Sequence, residues 1–208
     1  MKDFWEKQYS NNEFIYGESP NEYLKSRLTN LEKGKILMPA EGEGRNAVYA
    51  AKLGWSVSAF DQSNRAKAKA EFLARNNNVT IDYIVSNVED VDYTSNYFDA
   101  LALIYAHFHS DMRSEYHQKL TSYLKEDGIL ILEAFGKQHV NNQKTNPFAG
   151  GPKDKEMLYE LSSLKLDFKD FDFLEASETK TVLKEGKYHS GKANLIRLFA
   201  IKRKKQKS

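Results

Sequence analysis

The strongest limit on how these 208 residues can fold is an alternation of short apolar runs with helix-like stretches. Strand-like runs fall at 35–39, 56–61, 80–85, 98–105 and 128–135, and helix-like stretches at 45–53, 63–76 and 110–124. The first, second, fourth and fifth runs are apolar with little polar alternation, the pattern of strands buried on both faces of a parallel sheet. Strand, helix, strand with right-handed crossovers gives a doubly wound α/β fold with helices on both faces.

The last quarter breaks the pattern. Residues 168–182 and 193–202 read as two strands, joined through a turn at Lys184-Glu-Gly-Lys187. They are expected to pair antiparallel and close one edge of the sheet, for seven strands in all. Ser19-Pro20 is expected to start a helix that runs to about Asn30 with proline at its first position. Ser110 is read as the cap of the third helix, and Asp127-Gly128 as the turn that follows it. Residues 136–152 hold Asn146-Pro147 and Gly150-Gly151-Pro152 and show no periodicity, which suggests a binding loop.

Composition narrows the class. A hydrophobic share of 40% supports a core, and no repeat or linker divides the chain, so residues 1–208 are read as a single domain. The formal net charge of +2 gives no bulk field for nucleic acid or an acidic membrane. With no cysteine, disulfides, thiolate metal sites and a cysteine nucleophile are excluded. The opening MKDFWEKQYSNNEF lacks an apolar signal core, and no apolar run approaches the roughly 20 residues that span a bilayer. A cytoplasmic location is therefore expected.

The sharpest functional signal follows the first strand, at Pro39-Ala-Glu-Gly-Glu-Gly-Arg-Asn46. Gly42 and Gly44 sit where strand hands over to helix, and glycine there lets backbone turn with positive φ and approach a ligand. Asp61 ends the second strand 17 residues beyond Gly44, where a carboxylate can hold the two hydroxyls of a ribose. Together they point to a cofactor that contains adenosine. Gly42 to Ala47 also satisfies a dinucleotide pattern, so an NAD-dependent reductase is a competing reading. Its expected tyrosine–lysine pair, four apart on a helix, occurs only as Tyr188 and Lys192, in a turn beside Gly191.

The run EGEGRNAVYAAKLGWSVSAFDQS resembles the first motif and second strand of class I S-adenosylmethionine-dependent methyltransferases. It is most similar to the tellurite-resistance and thiopurine-type branch, as are NVEDVD, FDALALIYAHF, LKEDGILILEAF and EGKYHSGKANLIRLFAIK. Met38 and Ala40 replace the usual first acid and first glycine, and Glu41 stands where a small residue or cysteine is common. The resemblance implies methyl transfer from S-adenosylmethionine to a small acceptor (a thiol, a metalloid oxyanion or similar), with S-adenosylhomocysteine as product. It implies that Glu41, Gly42, Glu43 and Gly44 face the methionine part and ribose, with Arg45 and Asn46 opening the helix beneath. Asp61 would hold the ribose diol beside Gln62 and Ser63. Asn87 and Val88 would meet the adenine, and Ile104, Tyr105 and Ala106 would line the sulfonium.

On the acceptor side the candidates are Tyr105, His107, His109 and His189. The His-x-His pair lacks further ligands at suitable spacing, so no metal is expected. Trp5, Tyr9 and Tyr16, in an N-terminal segment of residues 1–33, are candidates for a lid. The basic tail at 203–208 reads as a solvated end, without the aromatic-basic stripe of a nucleic-acid surface. A second reading keeps the fold and the cofactor without catalysis. The oligomeric state and the acceptor are not written in the sequence.

Overall fold

A computed structural model describes residues 2–204, so the end of the basic tail at 205–208 lies outside the described residues. The elements run α1 (Lys2–Gln8), α2 (Glu22–Leu28), β1 (Lys35–Pro39), α3 (Arg45–Lys52), β2 (Ser56–Asp61), α4 (Asn64–Asn76) and β3 (Asp82–Val85). They continue with β4 (Phe98–Ile104), α5 (Ser110–Ser122), β5 (Leu124–Phe135), α6 (Val140–Gln143), α7 (Leu161–Asp167), β6 (Phe171–Glu185) and β7 (His189–Lys202). Seven strands form one sheet in the order β3-β2-β1-β4-β5-β7-β6. The first five pair in parallel, whereas β7 runs antiparallel between β5 and β6. This is the Rossmann-like, mostly parallel sheet closed by an antiparallel hairpin that the sequence pattern predicts.

The lack of alternation in the central strands has a direct cause. Ile36, Met38, Ala59, Ala102 and Ile131 point to one face, where they meet α2, α3 and α4 through Leu24, Leu28, Ala47, Ala50 and Ala70. Leu37, Leu101, Leu103, Leu130 and Leu132 point to the other, against Leu120 of α5, Leu164 of α7 and Phe168. Both sides of each strand are buried, so both sides are apolar.

Several local expectations are corrected. Pro20 precedes the α2 cap instead of opening the helix, because Asn21 accepts the Leu24 N–H at 2.9 Å and takes the cap position. That helix ends at Leu28, before Asn30. His109, not Ser110, caps α5. The Asp127-Gly128 turn lies inside β5: Phe98 pairs with Leu124 and Ala100 with Ile129, and the intervening residues bulge through Asp127 at φ 60°. Phe168 caps the C-terminus of α7 and does not start a strand. The fourth strand stops at Ile104 because Tyr105 adopts φ 53°, outside any strand conformation. Residues 136–152 carry a short 3₁₀ turn at Lys137–His139 and then α6, and Gln143 Nε2 donates to the carbonyls of Gly150, Gly151 and Pro152. Among the described residues no helix is long and apolar enough to cross a membrane.

Candidate active site

The carboxyl ends of β1, β2 and β4 meet at the glycine turn. Gly42 at φ 61° donates its N–H to Asp61 Oδ2 at 3.2 Å, and its carbonyl accepts the Tyr83 hydroxyl at 2.7 Å. Asp61 Oδ1 accepts the Ser63 N–H at 3.0 Å, and Ser63 caps α4 through its hydroxyl. The Gln62 N–H also faces the carboxylate, and since an ionised carboxylate offers about four acceptor positions, capacity remains for a ribose hydroxyl. Burial lifts the Asp61 carboxyl to about 6, which still leaves it ionised above neutral pH. Gly44 serves packing: it sits at φ 86°, and a Cβ on it would lie 2.4 Å from the Ala70 Cβ on α4.

Glu41 and Glu43 do different work. Glu41 Oε1 accepts the N–H groups of Asn46 and Ala47 at 2.9 and 2.7 Å, so the carboxylate closes the start of α3. Desolvation lifts its carboxyl to about 7. Glu43, 3% exposed, turns the other way, pairing with Lys69 at 2.7 Å and accepting the N–H groups of Ile15 and Tyr16 at 3.3 Å. It thereby pins the N-terminal segment to the glycine turn. Arg45 does the same from the helix, donating to the carbonyls of Tyr16 and Ser19 and to Glu185 at 2.6 Å. Asn46 Oδ1 accepts the Asn21 N–H.

The N-terminal aromatics lie over this turn. Tyr9 is buried, stacks on Trp5 with ring centroids 5.4 Å apart, and brings its hydroxyl 2.7 Å from where a Gly42 Cβ would stand. Tyr16 packs on His189 at 4.6 Å. Val88 is buried and Asn87 exposed beyond β3, whereas Gln62 is half-buried at the end of β2.

At the end of β4, Ile104 and Ala106 are buried on either side of Tyr105. An aromatic side chain at positive φ is strained and needs its surroundings to hold it. Glu133 does so at both ends: its carbonyl accepts the Tyr105 N–H at 2.8 Å and its Oε1 accepts the hydroxyl at 2.9 Å. The Glu133 carboxylate is fully buried and also receives Asn21 Nδ2 at 2.7 Å and Arg197 Nε at 2.6 Å. Asn21 Nδ2 further reaches Glu185 Oε1 at 3.1 Å. The motif helix, the N-terminal segment, β5 and the final hairpin thus share one buried polar network. Asn21, Glu133, Glu185 and Arg197 were not singled out from the sequence. Glu133 left a signal, a lone carboxylate in the apolar run Ile129-Leu-Ile-Leu-Glu-Ala-Phe135.

The histidines separate by their bonds. His107 Nδ1–H donates to the Met157 carbonyl at 2.7 Å while Nε2 accepts the Phe135 N–H at 3.2 Å, so the backbone occupies both nitrogens. Burial pushes its imidazole down to about 3. His109 lies at the surface as the α5 cap. His189 is buried among Tyr16, Tyr105 and Phe135. Among the described residues no group of three or more His, Cys, Asp or Glu could hold a metal ion.

Residues 37–132 match the model of a methyltransferase domain family. That segment is an S-adenosylmethionine-dependent methyltransferase domain, and it sits in the seven-stranded sheet of the class I fold. The tyrosine and lysine that a reductase would need on a helix, Tyr188 and Lys192, fall instead at the turn and start of the final hairpin. The chain is 16% identical, with a TM-score of 0.77, to a structure from the conversion of a disulfide bond into a thioacetal group during echinomycin biosynthesis; the match covers 98% of this chain and 92% of that one. TehB from Haemophilus influenzae is 16% identical with a TM-score of 0.71, covering 97% of this chain and 67% of that one. Magnesium protoporphyrin IX methyltransferase from Synechocystis PCC 6803, solved with bound S-adenosylhomocysteine, is 14% identical with a TM-score of 0.67, over 96% and 93% of the two chains. At these identities the likeness is one of fold. No curated protein matches the sequence.

Proposed function

We propose that this methyltransferase moves the methyl group of S-adenosylmethionine to a small-molecule acceptor held between its N-terminal segment and its final hairpin. The observation that carries the cofactor half is the Gly42–Asp61 cradle, in which a buried carboxylate keeps acceptor capacity beside a glycine turn. Asp61 would take the ribose diol, with Gln62 and Ser63 flanking it and Asn87 and Val88 at the adenine. The turn from Glu41 to Gly44 would run along the methionine part, and Ile104, Tyr105 and Ala106 would border the sulfonium. A sulfonium is a cation, and the Tyr9, Tyr16 and Tyr105 rings suit it.

The bound cofactor supplies an already activated methyl group, so the chain's task is to align an acceptor and exclude water. Trp5, Tyr9 and Tyr16 cover the turn and suit that second role as a lid. The acceptor half is supported by a cleft of about 400 Å³ lined by Tyr16, Tyr23, Glu133, Glu185 and Arg197. Its size fits a small molecule and not a macromolecular chain.

Calorimetric titration with S-adenosylhomocysteine tests the cofactor half. Micromolar binding is expected, weakened at least tenfold, about 1.4 kcal/mol, in Asp61→Ala. Absence of binding by the intact protein would overturn the reading, and equal affinity in the variant would remove Asp61 from the ribose.

A further inference from the structure

Of the five histidines, His189 combines an unpartnered buried nitrogen with a place against Tyr16 and Tyr105. His107 and His139 give both ring nitrogens to neighbouring groups, His139 through the Gly150 carbonyl and the Asn194 N–H. His117 also buries an unpartnered Nε2, but its Nδ1 pairs with Asp167 at 2.9 Å and its ring is packed among Phe108, Tyr159 and Phe168 on the α5–α7 side of the sheet, and His109 caps α5 near the surface. His189 is 6% exposed, yet its Nδ1 has no hydrogen-bond partner and stands 3.7 Å from Glu185 Oε2, beyond hydrogen-bond range. A buried polar nitrogen without a partner costs free energy, and a ligand that supplies the missing bond recovers it.

The neighbours of that nitrogen connect it to the acceptor side. The Tyr105 ring, held in its strained conformation by Glu133, lies 4.4 Å from the imidazole, and Tyr16 lies 4.6 Å from it. Tyr16 and Glu185, both neighbours of His189, line the 400 Å³ cleft, although His189 itself does not.

Charge decides what can occupy this place. Three cations are set into the surrounding walls out of full contact with solvent, and each is closed by a carboxylate: Arg45 by Glu185 at 2.6 Å, Arg197 by Glu133 at 2.6 Å, and Lys69 by Glu43 at 2.7 Å; Lys184, which also lines the cleft, is exposed, so its charge is screened by water. An oxyanion entering there meets carboxylates whose countercharges are already committed, and desolvating it without a countercharge is costly. An uncharged acceptor meets no such penalty.

We propose that the acceptor is an uncharged thiol or hydroxyl compound and that His189 takes its proton during transfer. This rests on the methyl-transfer reading above. A lone pair of the acceptor sulfur or oxygen forms the bond to the methyl carbon as the carbon–sulfonium bond breaks, and that electron pair returns to sulfur as a neutral thioether. The acceptor proton moves to His189. One positive charge enters the step on sulfonium and leaves it on imidazolium, so the chamber's net charge does not change. The Glu185 carboxylate steadies the imidazolium as it forms.

Burial holds the imidazole down to about 4, with Arg45 and His139 pushing the same way and Glu185 opposing; the Tyr16 and Tyr105 rings complete the wall. His189 is thus neutral and ready to accept at physiological pH. So weak a base is sufficient, because an S- or O-methylated acceptor that still carries its proton is a strong acid.

The test uses the full chain and His189→Gln, with His189→Asn as a second variant and thermal melting to confirm that each folds. Calorimetry with S-adenosylhomocysteine should give affinities within about twofold of the parent; loss of binding by the parent would instead sink the methyl-transfer reading. Transfer is then measured to a panel of uncharged thiols and phenols and, separately, to selenite and tellurite. The uncharged panel should contain the acceptors that turn over, and the variants should lose about 100-fold or more in kcat on them. That deficit should shrink as pH rises past the acceptor's own pKa, since a thiolate or phenolate needs no base; a purely structural defect would not follow the acceptor. In the parent, ¹⁵N shifts of the His189 ring should report a neutral imidazole at pH 7. Faster turnover of the oxyanions, silence across the uncharged panel, a deficit independent of acceptor pKa, or a cationic ring at pH 7 would each overturn the proposal.

Discussion

Replacing Asn21 by alanine tests the claim that one buried amide joins the N-terminal segment to the sheet. Its Oδ1 caps α2 through the Leu24 N–H, and its Nδ2 donates to Glu133 at 2.7 Å and Glu185 at 3.1 Å. Loss of the cap costs about 1 kcal/mol. Each carboxylate loses a charge-assisted bond, for which about 1.5–3 kcal/mol is typical when the group stays buried. Glu133 keeps Tyr105 and Arg197, and Glu185 keeps Arg45, so the lower end applies to both. The sum is about 4 kcal/mol, which at roughly 2–4 °C per kcal/mol lowers the melting temperature by about 8–16 °C. Thermal melting by circular dichroism and urea titration measure it. Asn21→Ser keeps a capping oxygen but cannot reach the carboxylates, so it should recover only about 1 kcal/mol. A loss below about 1 kcal/mol in Asn21→Ala, or full recovery by serine, would refute the network as a source of stability and leave Asn21 a simple cap.

Other outcomes follow from the same geometry. Gly44→Ala places a Cβ 2.4 Å from Ala70 at φ 86°, so left-handed strain and overpacking should together cost about 2–5 kcal/mol, read as a lower urea midpoint. The Glu41 carboxyl rises on folding from 4.5 to about 7, so its contribution to stability is fully present below about pH 4.5 and is lost as pH rises through 7. Glu41→Gln keeps an oxygen for the Asn46 and Ala47 N–H groups without that charge, and should raise the melting temperature at pH 8 while leaving it nearly unchanged at pH 4; equal shifts at both pH values would contradict the assignment. Tyr105→Phe removes the hydroxyl bonded to Glu133 and should cost about 1 kcal/mol in a denaturant titration, with no effect if that bond contributes nothing.

The parallel core was legible because its strands are apolar on both faces, a pattern that only a sheet covered by helices produces. Gly42, Gly44 and Asp61 were legible for a related reason: backbone geometry and the strand end restrict which residues fit. Features set by distant neighbours were not. Pro20 followed by Asn21 reads equally as a helix start or as its approach, and only the carboxylates of Glu133 and Glu185, 112 and 164 residues away, draw Asn21 inward. Asp127-Gly128 has the chemistry of a turn, and the pairing of Leu124 with Phe98 makes it a bulge. His107 and His189 look alike in sequence; one is consumed by backbone bonds and the other leaves its Nδ1 without a partner, a distinction that only the folded surroundings make.

Three buried carboxylates explain why the cofactor turn and the acceptor side should act together. Glu43 ties the glycine turn to residues 15 and 16, Glu185 ties the motif helix to the final hairpin through Arg45, and Glu133 ties β5 to the strained Tyr105 at the end of β4. Each carboxylate bridges an element that bears on the donor to one that bears on the acceptor. A displacement at the glycine turn is therefore transmitted to Tyr16 and Glu185, both neighbours of His189, through bonds of 2.6 to 3.3 Å. Two elements so connected move as a unit, because stretching such buried charge-assisted bonds costs more than shifting the apolar contacts around them. Aligning a methyl donor with its acceptor requires that rigidity, since a displacement of about 1 Å in the reacting atoms costs about 100-fold in rate.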